Sequence, residues 1–160
     1  MLYRSQTAHL ALVLILMLAF VLMRIWAKVD PETGLMHIMN PWSLQEVSAD
    51  YKLLSSDYLP YIFIGALIFA ASGLATQSIL KHGDRPMQLK LGRLNTLVLL
   101  LMIVIMVYLV RREEAIILPE VPGQYKLGAW VPVVALISNL RASYLIWQDE
   151  KTVKDADRMR

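Results

Sequence analysis

Apolar and polar positions alternate along this chain on the scale of whole segments. Four stretches, 8–25, 59–80, 91–110 and 127–147, are apolar almost throughout, and the residues between them are polar or mixed. A helix needs about 20 mostly apolar residues to cross the hydrocarbon of a bilayer, so each stretch predicts a transmembrane helix. Positive charge in short flanks sets orientation. The connection after the second stretch carries Lys81, Arg85, Lys90 and Arg93 against Asp84 alone, Arg4 precedes the first stretch, and Lys151, Lys154, Arg158 and Arg160 follow the fourth. These regions are expected in the cytoplasm, with both termini inside and the better-balanced segments 27–58 and 111–126 outside. Four spans joined by short links predict an all-α fold, a single transmembrane domain over residues 1–160 built as an up-down four-helix bundle.

Local signals refine the boundaries. Gly83 suits a helix end, and Asp84 followed by Pro86 suits the start of the next helix. Pro60 and Pro132 lie near span starts, where a missing N–H costs least. Pro119, Pro122 and Gly123 break the second outer connection, and Trp26, Tyr58, Tyr61, Tyr125, Trp130 and Trp147 fall where an aromatic belt is expected. The first outer connection reads "NPWSLQEVSADYKLLSSDY" from residue 40. Asn40 can cap a helix, Pro41 fits its first position, and Leu44, Val47, Tyr51, Leu54 and Tyr58 recur at steps of three and four. That spacing predicts a short amphipathic helix on the outer membrane surface, with an irregular loop as the alternative. The first stretch resembles a signal peptide in having Arg4 ahead of an apolar run. The run is long for one, and residues 20–30 offer no small-x-small cleavage site, so a retained span is expected.

Composition narrows the function classes. Of 160 residues, 57% are hydrophobic, above the share in an ordinary soluble domain. The formal net charge of +3 does not point to nucleic acid, because the basic residues gather at span ends and not in one stripe. The absence of cysteine removes disulfides, thiol catalysis and cysteine-ligated metals. His9, His37 and His82 have no second ligand at metal-site spacing, and neither a phosphate-binding loop nor a serine-hydrolase elbow occurs. No catalytic residue, metal site or cofactor is expected. Spans lack acidic residues, which ion-coupled transporters usually need.

The informative polar groups sit in the cytoplasmic half. Gln77 lies on a face with Ala66, Ala70 and Gly73, where small residues let helices approach. Asn95 lies at a matching depth in the third span, and Asn139 and Arg141 in the fourth. Gln77, Arg93, Asn95, Asn139 and Arg141 are therefore candidates for a polar cluster that holds a lipid headgroup or small anion, while interhelical hydrogen bonding is the commoner use of such groups. Arg24 is expected to snorkel, and the pair Glu113–Glu114 beside Arg111–Arg112 reads as a solvated helix end. Nothing after Pro132 breaks a helix, so the fourth span continues into a tail, residues 148–160. Its pairs Glu150–Lys154 and Lys151–Asp155 are spaced for helical ion pairing. Asp149, Glu150, Lys154, Asp157 and Arg158 are its candidate partner-binding residues.

The segments "MLYRSQTAHL", "LKLGRLNTLVLLL" and "DEKTVKDADRMR" resemble an uncharacterised family of small membrane proteins, mainly from Bacteroidota, known as domain of unknown function 4293. The resemblance covers nearly the whole chain. It implies a four-helix inner-membrane protein without a known activity, and it implicates Arg4, Gln6, Thr7, Arg93, Asn95, Pro132, Asp149, Glu150, Asp157 and Arg158. The family pattern has an Asn-Arg pair near the end of the fourth span, where this chain has Ser143–Tyr144. The resulting expectation is a multi-pass inner-membrane protein, non-enzymatic, that contacts the lipid bilayer and engages another membrane or cytoplasmic protein through its cytoplasmic face. The alternative is a lipid- or anion-binding or transport protein.

Overall fold

The computed structural model describes residues 2–158, with side chains from Ser5 to Val153. Its elements run α1 (Leu2–Phe20), β1 (Trp26–Val29), β2 (Met36–Met39), β3 (Leu44–Val47), β4 (Leu53–Asp57), α2 (Ile62–Leu80), α3 (Arg85–Ile116), β5 (Gln124–Tyr125), a 3-10 turn (Leu127–Trp130) and α4 (Val131–Arg158). The helices pack in a ring, α1 against α2 and α4, and α3 against the same two. α2, α3 and the helical segment Leu127–Val153 are long and apolar enough to cross a membrane, and the apolar part of α1, Ser5–Phe20, is shorter.

The expected all-α fold is wrong: the chain is mixed α/β. An antiparallel five-stranded sheet, in the order β4-β3-β2-β1-β5, lies at the end of the ring where α1 and α3 finish and α2 and α4 begin. The segment expected to form a surface helix supplies β3 and β4 instead. The misleading signal was Asn40-Pro41, because Asn followed by Pro serves the first two positions of a tight turn as well as a helix start. Here it makes the β2–β3 turn, closed by Asn40 N–H donating to the Ser43 carbonyl at 2.9 Å. The three- and four-residue spacing of Leu44, Val47, Tyr51, Leu54 and Tyr58 was coincidental. Leu44 is buried, Tyr51 sits in a turn with φ +59°, and Tyr51, Leu54 and Tyr58 are all exposed. The β1–β2 hairpin turns on Asp30, whose carboxylate accepts from the Glu32 N–H and the Thr33 hydroxyl, and on Gly34 at φ +69°.

The sheet is fixed to the helices by aromatic side chains. Trp42, in the β2–β3 turn, donates its indole N–H to the Val21 carbonyl at 3.1 Å and packs at a tilt of 52° against the Phe69 ring of α2. Its ring lies over Gly65, where a Cβ would stand 2.3 Å from it, so α2 must carry glycine there. Trp26 of β1 is fully buried and joins Phe20, Met39 and Leu109 in one core that runs from the helices to the underside of the sheet. Trp26 and Tyr61, expected in an aromatic belt, are core residues, whereas Tyr58, Tyr125, Trp130 and Trp147 remain exposed.

Candidate functional site

Polar side chains collect in two places, one among the helices and one beneath the sheet. In the first, α3 and α4 face each other through amides. Asn95 Nδ2 donates to Asn139 Oδ1 at 3.1 Å, and Asn139 Nδ2 donates to the Gly92 carbonyl and Thr96 Oγ1, each at 2.9 Å. Both asparagines are essentially inaccessible. Gly92 permits the approach, since a Cβ there would stand 2.5 Å from Ser143 Oγ. Ser143 is thus a packing residue against α3.

α4 is joined to α1 in the same way. Gln6 Nε2 donates to the Leu145 carbonyl at 3.2 Å, and Ser138 Oγ donates to the His9 carbonyl at 3.0 Å. The serine proton is then committed, so His9 Nδ1, 3.3 Å from Ser138 Oγ, takes the donor role toward it. On α2, the Ser78 carbonyl accepts from Gln88 Nε2 of α3 at 2.7 Å. Four buried side-chain oxygens of the helices, Ser72 Oγ, Ser78 Oγ, Asn95 Oδ1 and Ser143 Oγ, lack a partner among the described residues.

Of the five residues expected to form a polar cluster, the structure joins only Asn95 and Asn139. Gln77 and Arg93 are exposed on the outside of their helices, and Arg141 is exposed over the Tyr144 ring, 5.6 Å from its centroid. The face of α2 carrying Ala66, Ala70, Gly73 and Gln77 also points outward, and α2 packs instead through Ile64, Gly65, Ile68, Ala71, Ala75 and Ser78. Among the described residues, no three His, Cys, Asp or Glu side chains converge as a metal site requires.

At the end of the helices away from the sheet, Asp84 caps α3 by accepting from the Met87 N–H at 3.0 Å. The neighbouring Arg85 pairs with Asp149 of α4 at 3.0 Å. A cleft of about 430 Å³ opens beside them, lined by His82, Gly83, Pro86, Glu150 and Val153. Of the candidate partner-binding residues, Asp149 and Glu150 therefore border this cleft or its ion pair. The side chains of Lys154, Asp157 and Arg158, like that of Arg4, lie outside the described ones.

Beneath the sheet, Lys28 of β1 is buried. Its Nζ donates to the Ile117 carbonyl at 2.6 Å and the Glu114 carbonyl at 3.3 Å, and approaches the Glu114 carboxylate at 3.6 Å. A lysine here meets unsatisfied carbonyls at the end of α3 and the negative end of its dipole. Glu114 also accepts from Trp26 Nε1 at 2.8 Å and from the Gly123 N–H at 2.7 Å. Glu113 is buried as well, with Arg112 at 3.7 Å. The solvated helix end expected for Glu113–Glu114 is therefore overturned: Glu114 is drawn in by donors that the sheet and its connections supply, and Glu113 is buried against Tyr61. Sequence reasoning missed Lys28, because a lysine in a polar connection carries no mark of burial before β1 is known to be a strand.

The arrangement supplies donors and acceptors that fasten helix to helix and helix to sheet. No curated protein matches the chain. A family match does extend from residue 2 to residue 159, almost its full length, and on that ground the protein belongs to the family described as Domain of unknown function (DUF4293).

Proposed function

We propose that the protein is a non-enzymatic, multi-pass protein of the bacterial inner membrane, an accessory or scaffold subunit that engages a partner through its cytoplasmic end. In this reading all four helices cross the bilayer, the positively charged flanks and both termini face the cytoplasm, and the sheet lies outside. The observation that carries the reading is the end of α4. Its helix continues to Arg158, its Asp149 is held by Arg85, and an open cleft lies alongside between the α2–α3 connection and α4. A fixed charged helix bordering a cleft suits docking of another chain better than turnover of a small molecule. The buried amides meanwhile donate to one another, to Thr96 and to helix carbonyls. The competing reading, a lipid- or anion-binding site in the cytoplasmic leaflet, has less support because Arg93 and Arg141 stand apart from Asn95 and Asn139.

Gentle detergent extraction under native expression tests the proposal. The intact chain is expected to co-purify with a protein that is lost when residues 148–160 are removed. A monodisperse particle without a partner, unchanged by that removal, would count against it. Orientation is tested with single cysteines at Ser5, Ser48 and Thr152, since the chain has no other thiol. An impermeant reagent applied to intact spheroplasts is expected to label position 48 alone.

A further inference from the structure

A second cleft, of about 310 Å³, lies between α3 and α4 near the sheet. Ile103, Met106, Val107, Ala129 and Val133 make its walls apolar, and Arg111, Tyr125 and Trp130 also line it. Arg111 is the first charged residue of α3 after Arg93. It stands eight residues beyond Ile103, roughly 12 Å along the helix axis. The cleft is therefore amphiphilic along the direction of the helices. Its cationic end lies at the sheet, and its apolar end points toward the middle of α3.

The cation is unspent. Arg112 has the Glu113 carboxylate at 3.7 Å, whereas Arg111 has no carboxylate within ion-pairing distance among the described residues, and no acidic side chain lines the cleft. Arg111, Tyr125, Trp130 and Val107 are all exposed on the outside of the helices. A guanidinium presents paired N–H donors that match a phosphate, and tryptophan and tyrosine favour the headgroup level of a bilayer. A neutral hydrophobe would leave Arg111 without a counter-charge, and a soluble anion would leave the apolar walls uncovered. One molecule satisfies both ends in the right order, with its phosphate at the interface and its chain toward the bilayer centre.

We propose that this cleft is a binding site for one glycerophospholipid of the leaflet on the sheet side, with its phosphate on Arg111 and one acyl chain along Val107 and Ile103. The site rests on the helices being embedded in a bilayer. It is separate from the cytoplasmic end that the proposed function uses.

The test is lipid retention by the full-length protein, extracted from the membrane fraction in mild detergent, mixed with dioleoylphosphatidylglycerol and read by native mass spectrometry. One retained lipid per chain is expected. Arg111→Gln should lower retention about tenfold, the scale of losing a charge-assisted hydrogen bond. Val107→Trp, which fills the cleft from an exposed position, should do the same without changing the melting temperature. Arg112→Gln should leave retention unchanged. Dioleoylglycerol, with the same chains and no phosphate, should be held no better than by Arg111→Gln, and inorganic phosphate should not displace the phospholipid. Equal retention by wild type, Arg111→Gln and Val107→Trp would overturn the proposal, as would equal retention of dioleoylglycerol or displacement by inorganic phosphate. Recovery of the chain in the soluble fraction would overturn the membrane reading along with it.

Discussion

The two polar clusters are built from different chemistry. Beneath the sheet, a buried lysine meets a carboxylate and two backbone carbonyls, and the carboxylate is further held by an indole and a backbone N–H. In the helix cluster no ion pair forms among the described residues: the amides and hydroxyls of Asn95, Thr96, Asn139, Ser138 and Gln6 meet one another, helix carbonyls and the His9 ring. The difference follows from what each region can offer. A charge is tolerable under the sheet because strand β1 and the 117–123 connection bring fixed donors and acceptors around it. Helices already satisfy their own backbone, so the groups between them have few spare partners, and a charge there would be costly in a bilayer. The charged junction should therefore be far more sensitive to losing one member than the amide junction.

The largest effect is expected from Lys28→Met. It leaves Glu114 partly buried without its cation and the Ile117 carbonyl without its donor. A loss of about 3 kcal/mol is expected in thermal or chemical unfolding in detergent, the scale of breaking a buried ion pair. Gly65→Ala follows, at about 2 kcal/mol by the same measurement, because the new Cβ must displace the Trp42 ring from α2. Displacing Trp42 tests whether the sheet is a fixed part of the fold, and faster protease cleavage in 48–52 than in wild type is expected with it. Asn139→Leu removes three hydrogen bonds, yet interhelical bonds in membranes average well under 1 kcal/mol each. A loss of about 1 kcal/mol is expected. If Asn139→Leu costs as much as Lys28→Met, the contrast between the clusters is wrong.

The smallest effect is expected from Asp149→Asn. Its partner Arg85 is partly exposed, so stability should change by about 0.5 kcal/mol or less. The change should instead register as faster trypsin cleavage after Lys151, since the end of α4 loses its link to the α2–α3 connection. Unchanged cleavage would mean that the Arg85–Asp149 pair does not hold the end of α4.

By itself, the sequence determined the helices. The apolar run at 91–110 lies within α3, the run at 59–80 covers α2 and the three residues before it, and the Asp84 cap with Pro86 behind it marks the start of α3. These signals are local and extend over many residues, so they survive without knowledge of the neighbours. The sheet was not legible in the same way. Its strands run two to five residues, too short for alternation to stand out, and Asn40-Pro41 suits a turn as well as a helix. What turns Leu44–Val47 and Leu53–Asp57 into strands is pairing with each other and, through β2, with Trp26–Val29, a contact between residues far apart in the chain. Tertiary structure also decided the helix faces. The few polar residues of α2, Ser72, Thr76, Gln77 and Ser78, spread around the helix, so its sequence carries no clear rotational phase. Packing against Trp42 at Gly65 turns Ala66 and Gln77 outward and leaves Asn95 to meet Asn139. Lys28 shows the same dependence. Its burial follows from the place of β1 in the sheet above the end of α3, and only the folded chain brings those two segments together.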